Sequence, residues 1–331
     1  MKLCSFEVSS ALGPLERMGM VTDAGLIVDL NNACAVAIEA ADETSRSRVL
    51  ADALVPADLR AFIENGPRGR EALAHALQYL GSRIDQPGLC GPRGERLVWR
   101  GEEVRLLAPL PRPRTLRDCL VFEEHLRNAR LGGTIPPVWY EMPIYYKGNL
   151  NTVAGPASEV PWPPYTEVLD YELEFAAVIG RRGVNLTPEQ GWAHIFGYTI
   201  FNDVSARDIQ RREMAGGLGP AKGKDLDGGN IFGPWLVTAD EWNPSAGHLM
   251  TARVNGETWS RGTSAAMYHD FGKIVSHISW GMTVYPGDVI GSGTVGTGCG
   301  LELQRYPRPG DLIELEIEGL GVLRNRFGAR R

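Results

Sequence analysis

The chain has 331 residues, 43% of them hydrophobic, so it is long enough for two domains of ordinary size and for a substantial core. Its formal net charge is -6, and acidic and basic residues are mixed along the sequence. That balance provides no basic face for nucleic acid or for an anionic membrane surface. The composition therefore predicts a globular protein whose partner is a small molecule.

The cysteine pattern and the first residues predict a cytoplasmic protein. The five cysteines are odd in number, scattered, and never arranged as C-x-x-C, which argues against a disulfide framework and against a structural zinc site. Glu7 lies where a signal peptide needs an apolar core. No stretch approaches the roughly 20 apolar residues of a membrane-spanning helix, so no membrane partner is expected.

The first hundred residues have the patterns of a small α+β domain. The segment 18–30 predicts a hairpin with Asp23 and Gly25 in its turn. Three segments have apolar residues at helical spacing and predict helices: 32–41, 56–65 and 70–80. Two short strands are predicted near 97–100 and 104–107.

A proline-rich run at 109–114 marks the predicted domain boundary. Prolines neither continue a helix nor lie inside a sheet, so the small N-terminal domain is predicted to cover residues 1–108 and a larger domain residues 109–331. In the larger part, strand-like runs alternate with glycine and proline turns, and few helices are evident. The sequence predicts a mixed α+β, β-rich fold, with a sandwich or roll as its larger part.

Two carboxylates, Glu172 and Glu174, begin an apolar run within 170–180 that predicts a buried strand. Side chains two residues apart on a strand point to the same face, so one small cation could bridge both. Asp203 ends the next apolar run and precedes an S-x-x-D pattern typical of a helix start. Oxygen ligands without His or Cys favour Mg²⁺, Mn²⁺ or Ca²⁺ over zinc. The alternative is that both glutamates face solvent on a half-exposed strand.

Four segments, taken together, resemble the fumarylacetoacetate hydrolase family. They are D-Y-E-L-E-F-A-A-V-I-G (170–180), G-Y-T-I-F-N-D-V-S-A-R-D-I-Q (197–210), K-G-K-D-L-D-G-G-N-I-F-G-P-W-L-V-T (222–238) and V-Y-P-G-D-V-I-G-S-G-T-V-G-T-G (284–298). The similarity runs from about Arg117 to the C-terminus, and the N-terminal region is similar to the variable small domain of many members. The resemblance implies the family's β-sandwich or roll for residues 109–331, and a homodimer.

The resemblance also implies a metal site. In that family an E-x-E strand and an N-D-x-S-x-R-D turn supply ligands, which here are Glu172, Glu174 and Asp203. The branch that resembles fumarylacetoacetase adds an aspartate seven residues before the catalytic histidine, and Asp118 and His125 have that spacing. Other members have a His-x-x-Glu pair on a lid, whereas here an asparagine follows His125 at that position. The implied cofactor is Mg²⁺, with Mn²⁺ or Ca²⁺ as alternatives.

By the same resemblance, His125 is a general base, Glu302 orients it, and Lys224 stabilises a developing oxyanion. The neighbouring Lys222 is the alternative register for that lysine, and His125 and Glu302 could instead lie on an exposed helix and an exposed strand. The implied substrate-binding residues are Tyr146, at the rim of the pocket, Gln210, Gly293 and Thr294. The run G-S-G-T-V-G at 291–296 fits a dinucleotide-binding pattern by letter, but the following residues predict loop and strand rather than the required helix.

These roles predict a divalent-metal-dependent hydrolase that cleaves a C–C bond in an acylpyruvate or related β-diketone acid, with water activated by His125. Such a reaction belongs to the breakdown of aromatic compounds. The family also contains oxaloacetate-type decarboxylases, 2-keto acid dehydratases and isomerases, and one sequence does not choose among them. A different class of hypothesis is a non-catalytic protein in which a metal only joins strands.

Overall fold

The computed structural model describes residues 1–11, 13–42, 45–85, 89–129 and 133–330. In chain order its strands are β1 Lys2–Ser10, β2 Gly13–Val21, β3 Leu26–Asp29, β4 Val98–Arg100, β5 Arg105–Leu106, β6 Thr115–Cys119, β7 Tyr145–Lys147, β8 Val153–Ala154, β9 Glu159–Trp162, β10 Leu169–Asp170, β11 Leu173–Ile179, β12 Ile195–Asp203, β13 Ser205–Ala206, β14 Asn230–Thr238, β15 Leu249–Val254, β16 Glu257–Thr263, β17 Asp288–Gly291, β18 Leu312–Ile317 and β19 Gly321–Arg330.

The α-helices are short, and they connect or cover the strands. They are α1 Leu30–Asp42, α2 Ser47–Leu54, α3 Leu59–Glu64, α4 Gly66–Leu80, α5 Glu123–Ala129, α6 Val138–Glu141, α7 Pro188–Ala193, α8 Arg207–Met214, α9 Phe271–Ser279 and α10 Gly300–Leu303. Among the described residues, no helix combines the length and the apolar character that crossing a membrane requires.

A large mixed sheet joins both parts of the chain. Its strand order is β4-β3-β2-β1-β14-β12-β11-β17-β6-β7, with β5 added beside β1 and β8 beside β14. Strand β1 pairs antiparallel with β14, so that Leu3 lies opposite Leu236. The strands of the N-terminal part therefore join the same sheet as the later strands and make it wider.

A second sheet, in the order β16-β15-β18-β19-β9, packs on the large one. Phe175 and Ile200 of the large sheet share a core with Leu315 and Phe327 of the second sheet, and all four side chains are buried. Apolar faces that meet in this way form a sandwich. The prediction of a mixed α+β, β-rich fold is confirmed.

The predicted elements of the N-terminal part are largely confirmed. The hairpin forms from β2 and β3 around a turn in which Gly25 has φ +77°, a conformation that glycine adopts without strain. Helices α1, α3 and α4 occupy the three predicted segments. Helix α2 was not predicted, because its buried residues, Ser47 and Ala51, are too small to give an apolar pattern.

The boundary near residue 108 stays a prediction. A second core contains Leu3 and Phe62 from before that point together with Phe201 and Leu236 from after it. Side chains that share one core lose their packing together when the chain unfolds. We therefore expect both parts to unfold in one transition.

Replacing Leu3 tests this coupling. Leu3 is fully buried, so Leu3→Ala should lower the free energy of unfolding of the whole chain by about 2–5 kcal/mol. Urea unfolding followed by far-ultraviolet circular dichroism and by tryptophan fluorescence should show one shared transition. Leu15→Ala, at a largely exposed position on β2, is the matched control and should change stability by less than about 0.5 kcal/mol. Two separate transitions, only one of them moved by Leu3→Ala, would contradict the shared core.

Candidate active site

The E-x-E pattern lies at the start of strand β11. Its second glutamate is on the strand, and its first glutamate is the residue just before the strand. Leu173 and Phe175 point into the core between the two sheets, whereas Glu174 and Ala176 lie on the opposite face of the strand. Glu172 lies just before β11, where the backbone forms a bridge with Cys299. Glu172 is 5% exposed and Glu174 is fully buried, so the solvent-facing alternative is wrong.

Three carboxylates meet on the large sheet. Asp118 on β6, Glu174 on β11 and Asp203 on β12 each place an oxygen within 4.8 Å of the others, and all three side chains are buried. Strand β17 lies between β11 and β6, and its Gly291 pairs with Asp118. A Cβ atom at Gly291 would lie 2.2 Å from Asp118 Oδ1, so the cluster needs glycine at this position.

The three carboxylates carry more negative charge than the surrounding residues neutralise. Burial, with the charge of Asp203, raises the pKa of Asp118 to about 8. Burial and the neighbouring Asp118 raise the pKa of Glu174 well above its usual value. In the described part of the chain, neither Asp118 nor Glu174 forms a salt bridge, and Asp203 Oδ1 has no hydrogen-bond partner. Buried oxygens of this kind fit a hard divalent cation such as Mg²⁺.

Glu172 has a different environment from the other three carboxylates. Its Oε2 accepts a hydrogen bond from Lys224 Nζ (2.6 Å) and its Oε1 lies 2.8 Å from Arg207 Nη2. Burial would raise the pKa of Glu172, but Lys224 and Arg207 outweigh it and lower the pKa. Glu172 is therefore not part of the three-carboxylate cluster, and its expected role as a metal ligand stays a prediction.

Lys224, rather than Lys222, lies in the site. Lys224 Nζ donates hydrogen bonds to Glu172 Oε2 and to Asp203 Oδ2, both at 2.6 Å. Burial would lower the pKa of Lys224, but Asp203 and Glu172 raise it, so the ammonium keeps its charge. Lys222 is exposed and donates to the Asp225 carbonyl. The geometry removes the ambiguity of register that the sequence left open.

A histidine–glutamate pair lies beside these charges. His125 on α5 is 7% exposed, and its Nδ1 lies 2.7 Å from Glu302 Oε1 on α10. Glu302 Oε2 accepts from Asn128 Nδ2 (2.9 Å) and from the Thr297 amide (2.7 Å). When Nδ1 donates to Glu302, Nε2 is left as the proton acceptor. The surface-helix alternative for His125 is wrong, and Glu302 lies in a short helix rather than in the predicted strand.

The predicted substrate-binding residues mostly contact the carboxylates. The Tyr146 hydroxyl donates to Asp203 Oδ2 (2.7 Å), and Thr294 Oγ1 donates to Glu174 Oε1 (3.1 Å). The Gly293 amide lies 3.1 Å from both Asp118 and Glu174. No helix begins within 291–296, and the next helix, α10, begins at residue 300, where the sequence predicted loop and strand.

Gln210 lies on α8 and is linked to the carboxylates through one intervening side chain. Its Oε1 accepts from Arg207 Nη1 at 2.9 Å, so the structure connects it to the site through Arg207. The S-x-x-D pattern does not cap α8, because the helix begins at Arg207 and Ser205 bonds to the Asp203 carbonyl instead. The substrate-binding roles of Gln210 and of Tyr146, Gly293 and Thr294 stay predictions.

A buried ion pair that the sequence did not predict links the surroundings of Glu172 to the helix that carries Glu302. Arg207 Nε donates to Asp170 Oδ2 (2.7 Å), while the same guanidinium pairs with Glu172. Asp170 also accepts from the amides of Gly300 (2.8 Å) and Leu301 (2.9 Å), at the start of the helix that carries the partner of His125. The signal was present: both residues lie inside the quoted motifs, in D-Y-E-L-E and N-D-V-S-A-R-D.

The fold and the site define a β-rich chain with a buried acidic centre, and the comparisons identify its family. Residues 115–328 match the model described as Fumarylacetoacetate (FAA) hydrolase C-terminal. The chain belongs to the fumarylacetoacetate hydrolase family, as the sequence motifs predicted.

Curated relatives and solved structures agree with this assignment. The chain is 34% identical to oxaloacetate tautomerase YisK of Bacillus subtilis over 230 residues, which covers 68% of this chain and 74% of that protein. It is 31% identical to the human mitochondrial oxaloacetate tautomerase FAHD2A over 333 residues, 98% of this chain and 91% of that one. A fumarylacetoacetate hydrolase from Exiguobacterium antarcticum superimposes with a TM-score of 0.68 at 29% identity, covering 99% of this chain and 100% of that chain.

Metal binding should depend on pH because of Asp118. Its pKa is about 8 in the folded chain and about 4 in an unfolded one, so the metal-free protein should lose stability as the pH rises between these values. A cation must displace the protons that the raised pKa values of Asp118 and Glu174 favour, so Mg²⁺ affinity should rise as the pH rises towards 8. Calorimetric titration with Mg²⁺ in buffers of different ionisation enthalpy measures both the affinity and the protons released. Asp118→Asn should bind Mg²⁺ more weakly and release fewer protons; unchanged proton release would contradict this account.

The buried ion pair should make a large contribution to stability. Arg207→Met leaves Asp170 and Glu172 buried without their guanidinium and should lower the free energy of unfolding by about 3–5 kcal/mol. Adding Asp170→Asn should recover part of that loss, because it removes one uncompensated charge. Arg305→Met, which breaks an exposed pair with Glu257, is the matched control and should lower the free energy of unfolding far less than Arg207→Met does. Equal losses for the buried and the exposed arginine in urea unfolding would refute the assignment.

Proposed function

We propose that the chain is a divalent-metal-dependent enzyme that interconverts the keto and enol forms of oxaloacetate or a similar 2-oxo diacid. The observation that carries the proposal is a buried His125–Glu302 pair together with a buried carboxylate cluster, in which Lys224 bonds both to Asp203 of the cluster and to Glu172. The Bacillus subtilis and human relatives described above, both over 30% identical, are named oxaloacetate tautomerases, and the human one aligns with almost the whole chain. This favours the isomerase alternative of the sequence analysis over the hydrolase.

The cluster provides a place for the metal. Asp118, Glu174 and Asp203 would hold Mg²⁺, with Mn²⁺ as an alternative, and the unpartnered Asp203 Oδ1 is available as a ligand atom. A bound divalent cation polarises a carbonyl oxygen and offsets the negative charge that develops there. Lys224 contributes a fixed positive charge of the same kind, since its ammonium is buried and held by two carboxylates.

The histidine moves one proton. In the direction from keto to enol, His125 Nε2 takes a proton from the carbon between the two carbonyl groups, and the C–H bond breaks. Glu302 holds the Nδ1–H group and stabilises the imidazolium that forms. The imidazolium then returns the proton to the enolate oxygen, so an O–H bond forms and no atom is gained or lost.

Hydrolysis of an acylpyruvate is the second candidate, in line with the prediction from the sequence. The same pair could activate water, because a histidine that a carboxylate orients can act as a general base. The chain is 29% identical to a solved fumarylacetoacetate hydrolase along nearly its full length. The two candidates differ in outcome, because hydrolysis breaks a C–C bond and tautomerisation breaks none.

A spectrophotometric assay distinguishes these functions. With Mg²⁺ present, the wild-type protein should speed the approach of oxaloacetate to its keto–enol equilibrium, seen in the enol absorbance, without releasing pyruvate; EDTA should abolish the effect. His125→Ala should lower the rate by about 10²–10⁴-fold while Mg²⁺ still binds. His75→Ala, at an exposed position on α4, is the matched control and should leave the rate unchanged.

Other outcomes identify the competing functions. Cleavage of acylpyruvates, with no effect of His125→Ala on oxaloacetate, would support the hydrolase instead. Release of pyruvate and CO₂ from oxaloacetate would support a decarboxylase. Absence of turnover on the whole panel by a protein that binds Mg²⁺ would support the non-catalytic, metal-stabilised alternative.

A homodimer and a cytoplasmic location stay predictions. The family resemblance is the support for the dimer, and the mixed charge and the scattered cysteines support the location. The human relative is named as a mitochondrial protein.

A further inference from the structure

A second group of side chains of the types that ligate metals lies outside the carboxylate cluster. One ligand atom each of His125, Cys299 and Glu302 lies within 4.8 Å of the other two. Glu302 Oε1 is 2.7 Å from His125 Nδ1 and 3.5 Å from Cys299 Sγ, so a single oxygen faces both the imidazole and the thiol. Cys299 is fully buried.

The surrounding structure holds these three side chains in place. Glu302 Oε2 is bonded to Asn128 and to the Thr297 amide, which fixes the carboxylate and directs its other oxygen at His125 and Cys299. The backbone of Cys299 forms a bridge with Glu172. A preorganised set of ligands loses little freedom when a cation binds.

We propose that His125, Cys299 and Glu302 form a second metal site, selective for thiophilic divalent cations such as Zn²⁺ and Cd²⁺. A thiolate, an imidazole and a carboxylate are the ligands that zinc prefers, and three protein ligands leave a fourth position for water. The cluster of Asp118, Glu174 and Asp203 has oxygen ligands only and prefers Mg²⁺. The two sites therefore differ in the class of cation they bind.

The distances between the ligand atoms lie within about 1 Å of those of a tetrahedral zinc site. Zinc bonds to nitrogen, oxygen and sulfur of about 2.0–2.3 Å in a tetrahedron place the ligand atoms about 3.3–3.8 Å apart. Glu302 Oε1 and Cys299 Sγ are already 3.5 Å apart. The Oε1–Nδ1 pair, at 2.7 Å, and any pair near the 4.8 Å limit need to change by about 1 Å or less.

Binding balances in charge and protons. The Cys299 S–H bond breaks and its proton leaves to solvent, and a bond from sulfur to the cation forms. His125 stays neutral, with its proton on the ring nitrogen that does not bind. The thiolate and the Glu302 carboxylate then match the two positive charges of the cation, so the buried site is left neutral.

Titration with Cd²⁺ tests the site directly. With Mg²⁺ at saturating concentration, the full-length wild-type protein should bind one Cd²⁺ with the ultraviolet charge-transfer absorbance of a cadmium–thiolate bond. Cys299→Ala should lose that absorbance and bind Cd²⁺ at least about tenfold more weakly. Cys90→Ala, which removes the exposed cysteine, is the matched control and should behave as wild type.

The results of these Cd²⁺ titrations either support or overturn the proposed second metal site. Absorbance that disappears in Cys90→Ala and persists in Cys299→Ala would assign Cd²⁺ to the exposed thiol and refute the proposal, as would no thiolate absorbance in wild type. Cys299→Ser, with its melting temperature compared to wild type, separates loss of the ligand from loss of the fold. Glu302→Gln keeps the thiol, so it should keep the absorbance and weaken Cd²⁺ binding; unchanged affinity would overturn the three-ligand assignment.

One consequence rests on the proposed function. If His125 is the base, Zn²⁺ at this site should inhibit turnover, and excess Mg²⁺ should not relieve the inhibition. Cd²⁺ binding without inhibition would retain the metal site and reject the role of His125. Inhibition without thiolate absorbance, relieved by Mg²⁺, would place the cation on the carboxylate cluster and reject the second site.

Discussion

The burial of acidic groups is the constraint on which the site depends. Ionised carboxylates lose their hydration when they are buried, and only nearby positive charge compensates that loss. Lys224 and Arg207 compensate Glu172, whose pKa is lowered, while burial raises the pKa of Asp118. The structure thus separates one carboxylate that stays ionised from a cluster that needs either protons or a cation. The preference of the cluster for a hard cation, the expected pH dependence of cation binding and the charge of Lys224 all follow from this separation.

The sheet provides the rigidity that the carboxylates require. Asp118, Glu174 and Asp203 lie on three strands of one continuous sheet, and Gly291, on the strand that pairs with Asp118, leaves the space between them. Because β1 pairs with β14 and the N-terminal helices share a core with the same sheet, the first part of the chain supports the face that holds the site. Packing far from the chemistry therefore limits how far the ligands can move.

Local patterns predicted much of the site, and long-range contacts account for what they missed. The alternation of side chains along a strand predicted that Glu172 and Glu174 share a face, and the family resemblance, with the seven-residue spacing of Asp118 and His125, predicted that all four belong to one site. The pair of Asp170 and Arg207 joins residues 37 positions apart, and Asp170 contacts Gly300 across 130 positions. A sequence pattern does not contain such contacts, since they depend on how strands order in the sheet. For the same reason, the family motifs predicted that Glu302 belongs to the site but did not predict that it lies in a helix.

The contact of Arg207 with both Asp170 and Glu172 makes the two halves of the site energetically interdependent. Asp170 fixes the start of the helix that carries Glu302, and Glu172 shares Lys224 with Asp203 of the carboxylate cluster. A cation that repositions Glu172 therefore changes the free energy of holding the histidine's partner. Thermodynamic reciprocity requires the reverse as well: any ligand that orders the His125 side of the site alters cation affinity by the same factor. In the proposed mechanism, the cation and the base His125 therefore form one coupled equilibrium rather than two independent sites.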